Sequence, residues 1–231
     1  MTSPSRVFAI LQLFDATRPV WHTDELNATL GYSRATGYRY VKDLVEAGFL
    51  KKVSAGRYAL GARIIELDYQ LRRSDPVLLA AIPVMKQLVR HLKLDSVLTA
   101  MFGLRVVDTY RASGDAHLKL GYGRGRPRPL FLGAGPKVIL ACLPRAQRIR
   151  IFETHGAEAA DAGLDATWTE FRSYFSNLKR EGFYLSIGEL EPDVGAAAVP
   201  LLGTDGEAMA GLTLVAATIC EAVAQSQDER P

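Results

Sequence analysis

An α+β fold in two parts is what the chain predicts, and three observations carry that prediction. From Thr23 to Leu60 two short helical segments surround a glycine and lead into a small hairpin, the order of a winged helix-turn-helix. Gly61 to Arg73 is helical again, with Ile64, Leu67 and Leu71 along one side. Beyond Asp75-Pro76 a long amphipathic stretch gives way to runs with strand alternation, so strands and helices share the remainder. The divisions read this way are a winged helix-turn-helix domain at 1–60, a linker helix at 61–74 and a second domain at 75–231.

Ser5 to Ala16 places Val7, Ile10, Leu11 and Phe14 at helical spacing, and Pro19 ends that segment. Trp21 follows in a short connection and reads as a packing residue. Thr23 is the expected N-cap of the next helix, with Asp24 and Glu25 in the first turn, where carboxylates suit the positive end of the dipole. Gly31 ends it, because a left-handed residue at that point costs least without a side chain. Ser33 caps a second helix that turns Val41, Leu44 and Val45 inward and leaves Arg34, Thr36, Tyr38, Arg39 and Lys42 outside.

That outer surface has the chemistry of a DNA-reading helix. Between Ser33 and Lys42 there are cations and no acid, so the helix can approach phosphates without repulsion. Arginine can grip guanine through two hydrogen bonds, and Ser, Thr and Tyr reach phosphates or base edges. Phe49 to Val53 and Arg57 to Leu60 read as two strands, which places Lys51, Lys52 and Arg57 on the wing beside the DNA backbone. An ordinary helical hairpin with a solvated basic face is the weaker alternative, since the helix, glycine turn, basic helix and wing occur together and in order. The helix from Gly61 reads either as a linker and dimer-forming surface or as a fourth helix of the first domain.

Composition constrains the rest. With 28 Lys and Arg against 25 Asp and Glu the net charge is only +3, so nucleic-acid affinity must come from a local patch. Hydrophobic residues make up 48% of the 231, enough for two real cores. No apolar run is long enough to span a bilayer, and Met1 to Phe14 lacks the features of a secretory signal, so a cytoplasmic protein is expected. Cys142 and Cys220 stand apart in apolar surroundings, as buried thiols do.

In the second domain Val77, Ala81, Val84, Leu88 and Leu92 predict a helix kinked or interrupted at Pro83. Strands are expected at Ser96 to Phe102, Arg105 to Ala112 and His117 to Tyr122, with a turn at Ser113-Gly114-Asp115. Gly121 to Leu132 is too rich in Gly and Pro for a regular element and should cross the sheet as a loop. Its Arg124, Arg126 and Arg128 suit a nucleic acid or an anionic small molecule equally. Gly133-Ala134-Gly135-Pro136 opens a helix and exposes backbone N–H groups to a carboxylate or phosphate, although it is neither a P-loop nor a dinucleotide fingerprint. Helices follow at Ala146 to Thr154 and Thr167 to Glu181. The strands Phe183 to Ile187, Val194 to Leu201 and Met209 to Ala216 then complete a sheet of about five or six strands.

Three stretches, in order, resemble the IclR family of bacterial transcriptional regulators: LGYSRATGYRYVKDLVEAGFL with RYALGARIIEL, PLFLGAGPKVILACLP, and EGFYLSIGELEPDVGAAAVPL. The resemblance implies a winged helix-turn-helix, a linker helix and a C-terminal effector-binding α/β domain similar to GAF and PAS domains. It further implies dimers, often paired into tetramers, that control catabolic genes in response to a small, commonly carboxylated metabolite.

The family's recognition positions fall on Ser33, Arg34, Ala35, Thr36, Tyr38 and Arg39, with Lys42 and Arg57 as further DNA contacts. Its effector positions fall on Ala134, Gly135, Ser186 and Ala196, with Leu120, Arg128 and Leu130 on the loop side. Glu189 matches the family's acidic position, or else fixes the turn before Val194. Two departures stand out. Pro136 replaces the usual glycine and removes one amide donor, and Pro127 replaces the usual loop arginine. The polar tail from Gln225 leaves the family's closing helix short or missing, which bears on tetramer formation.

The resulting expectation is a dimer on a pseudo-palindromic operator, its affinity set by a small-molecule effector, without cofactor, metal or membrane partner. An enzyme is the alternative from another class: Glu153, His155, Asp161 and Glu189 could be imagined as a hydrolytic set, but they follow no catalytic motif. A third reading is a DNA-binding dimer whose second domain only assembles.

Overall fold

The computed structural model describes residues 3–114, 118, 120–164 and 167–217. Its contacts divide the chain into two compact units, Met1–Asp75 and Pro76–Pro231.

The first unit runs α1 (Ser3–Leu11), β1 (Val20–His22), α2 (Thr23–Leu30), α3 (Arg34–Glu46), β2 (Leu50–Ser54), β3 (Arg57–Leu60) and α4 (Ala62–Ser74). Ile10, Trp21, Leu26, Tyr40, Val41, Leu44 and Leu50 form its core. Helix α1 stops short of Ala16 because the Asp15 carboxylate accepts from the Thr17 and Arg18 amides at 2.8 and 2.7 Å, a local turn that competes with the helix. Trp21 does pack in the core, but from a strand and not a connection. β1 pairs with β3, giving an antiparallel sheet in the order β1-β3-β2, and the indole N–H donates to the Leu13 carbonyl at 2.9 Å.

That third strand also moves the start of α2. The N-cap is His22, not Thr23: His22 Nδ1 accepts from the Asp24 amide at 3.2 Å, and the His22 amide donates to Glu25 Oε2 at 3.1 Å. Thr23 is instead wholly buried, with its amide and hydroxyl both donating to the Gly56 carbonyl in the wing turn. Gly31 is left-handed, and Ser33 caps α3 by accepting from the Thr36 amide, both as expected.

The second unit comprises α5 (Pro76–Leu92), β4 (Asp95–Phe102), β5 (Arg105–Ala112), β6 (Pro127–Arg128), α6 (Ala134–Cys142), α7 (Arg145–Asp161), α8 (Trp168–Glu181), β7 (Tyr184–Ile187), β8 (Val194–Leu202) and β9 (Ala208–Ala217). The sheet has six strands in the order β6-β5-β4-β9-β8-β7, and every neighbouring pair is antiparallel. On one face α5 lays Leu78, Ala81 and Met85 over Leu98, Ala210 and Leu212. On the other lies α6, buried along its whole length, and Phe131, Ile151, Phe171 and Phe175 fill the layer that α7 and α8 close.

Several expectations change here. α5 continues through Pro83 as one helix, because Pro83 and Leu79 are both on its exposed side, where water can serve the carbonyl that loses its partner. Within the Gly121 to Leu132 loop, Pro127–Arg128 pairs with β5 as an edge strand, the place in a sheet where a proline costs least. α7 runs beyond Thr154 to Asp161 across a non-helical residue at His155. Residues 118 and 120–122 form no strand, while the rest of His117 to Tyr122, the turn at Asp115, Cys220 and the tail lie partly or wholly outside the described residues. Cys142 is a free, buried thiol, and burial pushes its pKa up.

Candidate functional site

Two surfaces have functional geometry, one in each unit. On α3, Arg34, Ala35, Tyr38, Arg39 and Lys42 are exposed together with Ser33, and Thr36 is half-buried. Ser33 Oγ donates to Thr36 Oγ1 at 2.9 Å, which leaves the Thr36 proton for an outside acceptor. Lys42 has an exposed partner one turn on, Glu46, at 3.5 Å, a contact easily exchanged for a phosphate. Arg34 and Arg39 have no acidic partner among the described residues; their guanidinium carbons lie 5.7 and 5.2 Å from the ring centroids of Tyr38 and Tyr40. Lys51, Lys52 and Arg57 are exposed on the wing. Exposed cations on one helix and an adjacent hairpin, none of them held in a buried ion pair, are what a polyanion requires.

In the second unit a cavity with about 450 Å³ of empty space, part of it open to solvent, lies where α6 begins. Its floor follows from strand register. Ser186, Ala196 and Val215 are paired neighbours across β7, β8 and β9, and Thr213 is two residues before Val215 on the same face. Gly133, Ala134 and Gly135 bring the N-terminal turn of α6 onto that floor. Gly135 is needed there: a Cβ on it would lie 2.9 Å from Thr99 Oγ1 and 3.1 Å from Thr213 Oγ1. Leu120, Tyr122 and Arg128 come from the preceding loop, and Leu190, Glu191 and Val194 from the β7–β8 connection.

The polar groups of the cavity divide into satisfied and unsatisfied. Arg128 Nε donates to both oxygens of the fully buried Asp108, at 3.0 and 2.9 Å, and Thr99 Oγ1 donates to the same carboxylate. Arg128 is therefore held rigidly, with its guanidinium carbon 5.1 Å from the Tyr122 ring centroid, and the rest of its fork makes no hydrogen bond among the described residues. The Ala134 and Gly135 amides have none either, as a helix start requires, and Pro136 has no N–H to offer. Thr213 is 4% exposed, and its hydroxyl is buried without any hydrogen bond.

Two residues expected in the cavity are elsewhere. Leu130 is buried in the core beside Phe131 and Ile139, with its amide donating to Glu158 Oε1 at 3.2 Å. Glu189 spans the helix start from outside: its Oε2 accepts from Lys137 Nζ at 2.7 Å and from the Gly133 amide at 2.9 Å, and its Oε1 accepts from the Tyr184 hydroxyl at 2.7 Å. Burial, with hydrogen bonds to Tyr174 and Glu189, drives the Tyr184 phenol well above its ordinary pKa. Leu120, Arg128, Ala134, Gly135, Ser186 and Ala196 do line the cavity.

Comparison with known proteins identifies this architecture. The bacterial transcriptional regulator IclR C-terminal family matches residues 71–227, and the IclR helix-turn-helix domain matches residues 3–54. The chain belongs to the IclR family.

This IclR-family chain is a transcriptional regulator with a DNA-binding helix-turn-helix domain. It is 25% identical over 206 residues to the HTH-type transcriptional regulator KipR of Bacillus subtilis, covering 89% of this chain and 82% of KipR. An IclR family regulator from Brucella abortus has a similar fold, with a TM-score of 0.76 at 22% identity over 99% of this chain and 86% of that one. An IclR homologue from Microbacterium hydrocarbonoxydans, solved with 4-hydroxybenzoate, gives 0.73 at 20% identity over 94% of this chain and 90% of that one. These relatives are regulators and not enzymes. His155 pairs with Glu158 and Glu189 with Lys137, so neither engages another member of the set Glu153, His155, Asp161 and Glu189. Among the described residues no helix is long and apolar enough to cross a membrane, and no group of three His, Cys, Asp or Glu side chains could hold a metal ion.

The IclR resemblance missed Tyr122, Glu191, Thr213 and Val215 as cavity residues. Thr213 had a usable signal, being the one hydroxyl in the apolar run Ala208–Ala217. Glu191 had none, since an acid in a Pro-Asp turn ordinarily faces solvent.

Proposed function

We propose that the second unit binds a small carboxylate effector, aromatic acids included, and that its occupancy sets the operator affinity of the first. The observation carrying this reading is the buried, unpartnered Thr213 hydroxyl beside the free amides of Ala134 and Gly135. A buried polar group without a partner costs about 1–3 kcal/mol, and a carboxylate would satisfy the hydroxyl and both amides together. Arg128 adds positive charge, while Leu120, Leu190, Val194 and Val215 supply the apolar wall an aromatic or aliphatic body needs. The 4-hydroxybenzoate held by the Microbacterium homologue is of this class.

On the DNA side the contacts are Ser33, Arg34, Ala35, Thr36, Tyr38, Arg39, Lys42 and Arg57, with the domain at 1–60, the linker at 61–74 and the effector domain at 75–231. A dimer presents two α3 helices about 34 Å apart, one turn of DNA, on a pseudo-palindromic site. What supports a dimer is α4, which buries none of its residues and exposes Ile65, Leu67, Tyr69 and Leu71. The effector acts by favouring one arrangement of the dimer, with coupling of about 1–3 kcal/mol.

The test is to select bound sequences from random duplexes with purified protein, and then to titrate 4-hydroxybenzoate and other carboxylates into the protein and its operator complex. Enrichment of an inverted repeat whose affinity shifts with a carboxylate supports the reading. Absence of any enriched sequence removes the DNA half, and absence of any carboxylate binding removes the effector half.

A further inference from the structure

We infer that Glu191 reads a hydrogen-bond donor on the effector, a hydroxyl or an ammonium remote from its carboxylate; the inference rests on the carboxylate reading of the cavity.

Glu191 lines the cavity from the β7–β8 connection. Its carbonyl accepts from the Val194 amide at 3.1 Å, which fixes the backbone, and its Oε1 accepts from the Gly121 amide at 2.7 Å, which fixes the side chain. Oε2 has no partner among the described residues. Arg128 is paired with Asp108 and Lys137 with Glu189, and the Arg126 guanidinium donates to the carbonyl of the same Gly121; among the described residues Glu191 is the one acid in the lining and forms no ion pair.

An acid held in an anion-binding cavity works against a ligand that carries a carboxylate and nothing else. Entry of such a ligand strips water from Oε2 and offers nothing in return. A ligand with a hydroxyl or ammonium at its far end satisfies Oε2, and an ammonium also cancels its charge. A site built around a donor rejects analogues that lack it far more strongly than an apolar wall rejects a change in size. Because Glu191 is half-buried, the expected discrimination is about ten- to hundredfold, the usual value of a hydrogen bond to a charged group.

The experiment is calorimetric titration of the full chain with benzoate, 3-hydroxybenzoate, 4-hydroxybenzoate and 4-(aminomethyl)benzoate. Glu191→Gln is the variant of choice, because its carboxamide oxygen still accepts from Gly121 while an NH₂ replaces the free oxygen. In the native protein at least one donor-bearing ligand should bind about ten- to hundredfold more tightly than benzoate. In Glu191→Gln that preference should disappear with the melting temperature unchanged. Preference for the ammonium over both phenols would assign the cavity to amino acids, and the reverse to hydroxy acids. Equal binding of all four by the native protein, or a preference that survives in Glu191→Gln, overturns the inference and leaves the carboxylate reading standing. Binding of none of them overturns the inference and removes aromatic acids from the carboxylate reading, which then stands or falls on the wider carboxylate titration.

Discussion

Gly37 in α3 lies so close to Asn27 in α2 that a Cβ on the glycine would stand 1.5 Å from Asn27 Oδ1. Asn27 is buried and neither polar atom of its carboxamide has a partner, so it serves as the contact surface between the two helices.

Gly37→Ala should therefore destabilise the first unit by about 1–3 kcal/mol through overpacking. Trp21 fluorescence during urea unfolding, in a Trp168→Phe background, reads this directly. Adding Asn27→Ala should restore much of the loss, since it removes the obstructing atoms and two unsatisfied groups at once; additive losses would contradict the packing account.

Arg39→Ala should weaken binding to a selected operator by about 1–3 kcal/mol and binding to unrelated duplex far less. Lys52→Ala, on the wing, should weaken both alike and lower the salt dependence. Fluorescence anisotropy at several salt concentrations separates the two patterns, and equal losses for Arg39 would make it a phosphate contact.

Thr213→Val keeps the shape of the side chain and deletes the unpartnered hydroxyl. The protein should hold or slightly raise its melting temperature, while affinity for a carboxylate effector falls about tenfold or more. A large loss of stability would mean the hydroxyl already has a structural partner.

Glu189→Ala leaves Lys137, only 5% exposed, without its counter-charge. Such a loss costs about 3–5 kcal/mol, whereas replacing both partners by apolar residues costs much less. Denaturant unfolding of Glu189→Ala against Lys137→Met/Glu189→Leu tests this.

Tyr184 adds a pH dependence. Its phenol is favoured in the neutral form in the fold, so the folded chain holds that proton more tightly than the unfolded one. The stability this contributes is full below pH ~10, the unfolded pKa, and declines as the pH rises above it. Urea midpoints between pH ~9 and ~11 should fall more steeply in the native protein than in Tyr184→Phe, and parallel slopes would count against it.

Most helix ends were legible because their causes are local. Ser33 caps with its own side chain, Gly31 and Gly182 take left-handed backbone that other residues resist, and the stripe Phe171, Phe175, Leu178 is a matter of spacing. The start of α2, one residue before the cap that spacing suggests, was not legible for the opposite reason. Thr23 and His22 are both acceptable caps in isolation, and the choice falls to His22 because the Gly56 carbonyl, 33 residues away, claims the Thr23 amide and hydroxyl.

By itself, then, the sequence determined the two-part organisation, the basic face of α3 and the glycine opening of α6, since periodicity, capping and charge depend on residues a few positions apart. Only the tertiary structure decided what the cavity contains. Strand register aligns Ser186, Ala196 and Val215 and turns Thr213 toward α6, Leu130 joins Phe131 and Ile139 in the core, and Lys137 draws Glu189 out of the lining while Glu191 stays in it. Each of these outcomes is a competition between partners distant in the chain, and spacing along a sequence carries no record of which partner wins.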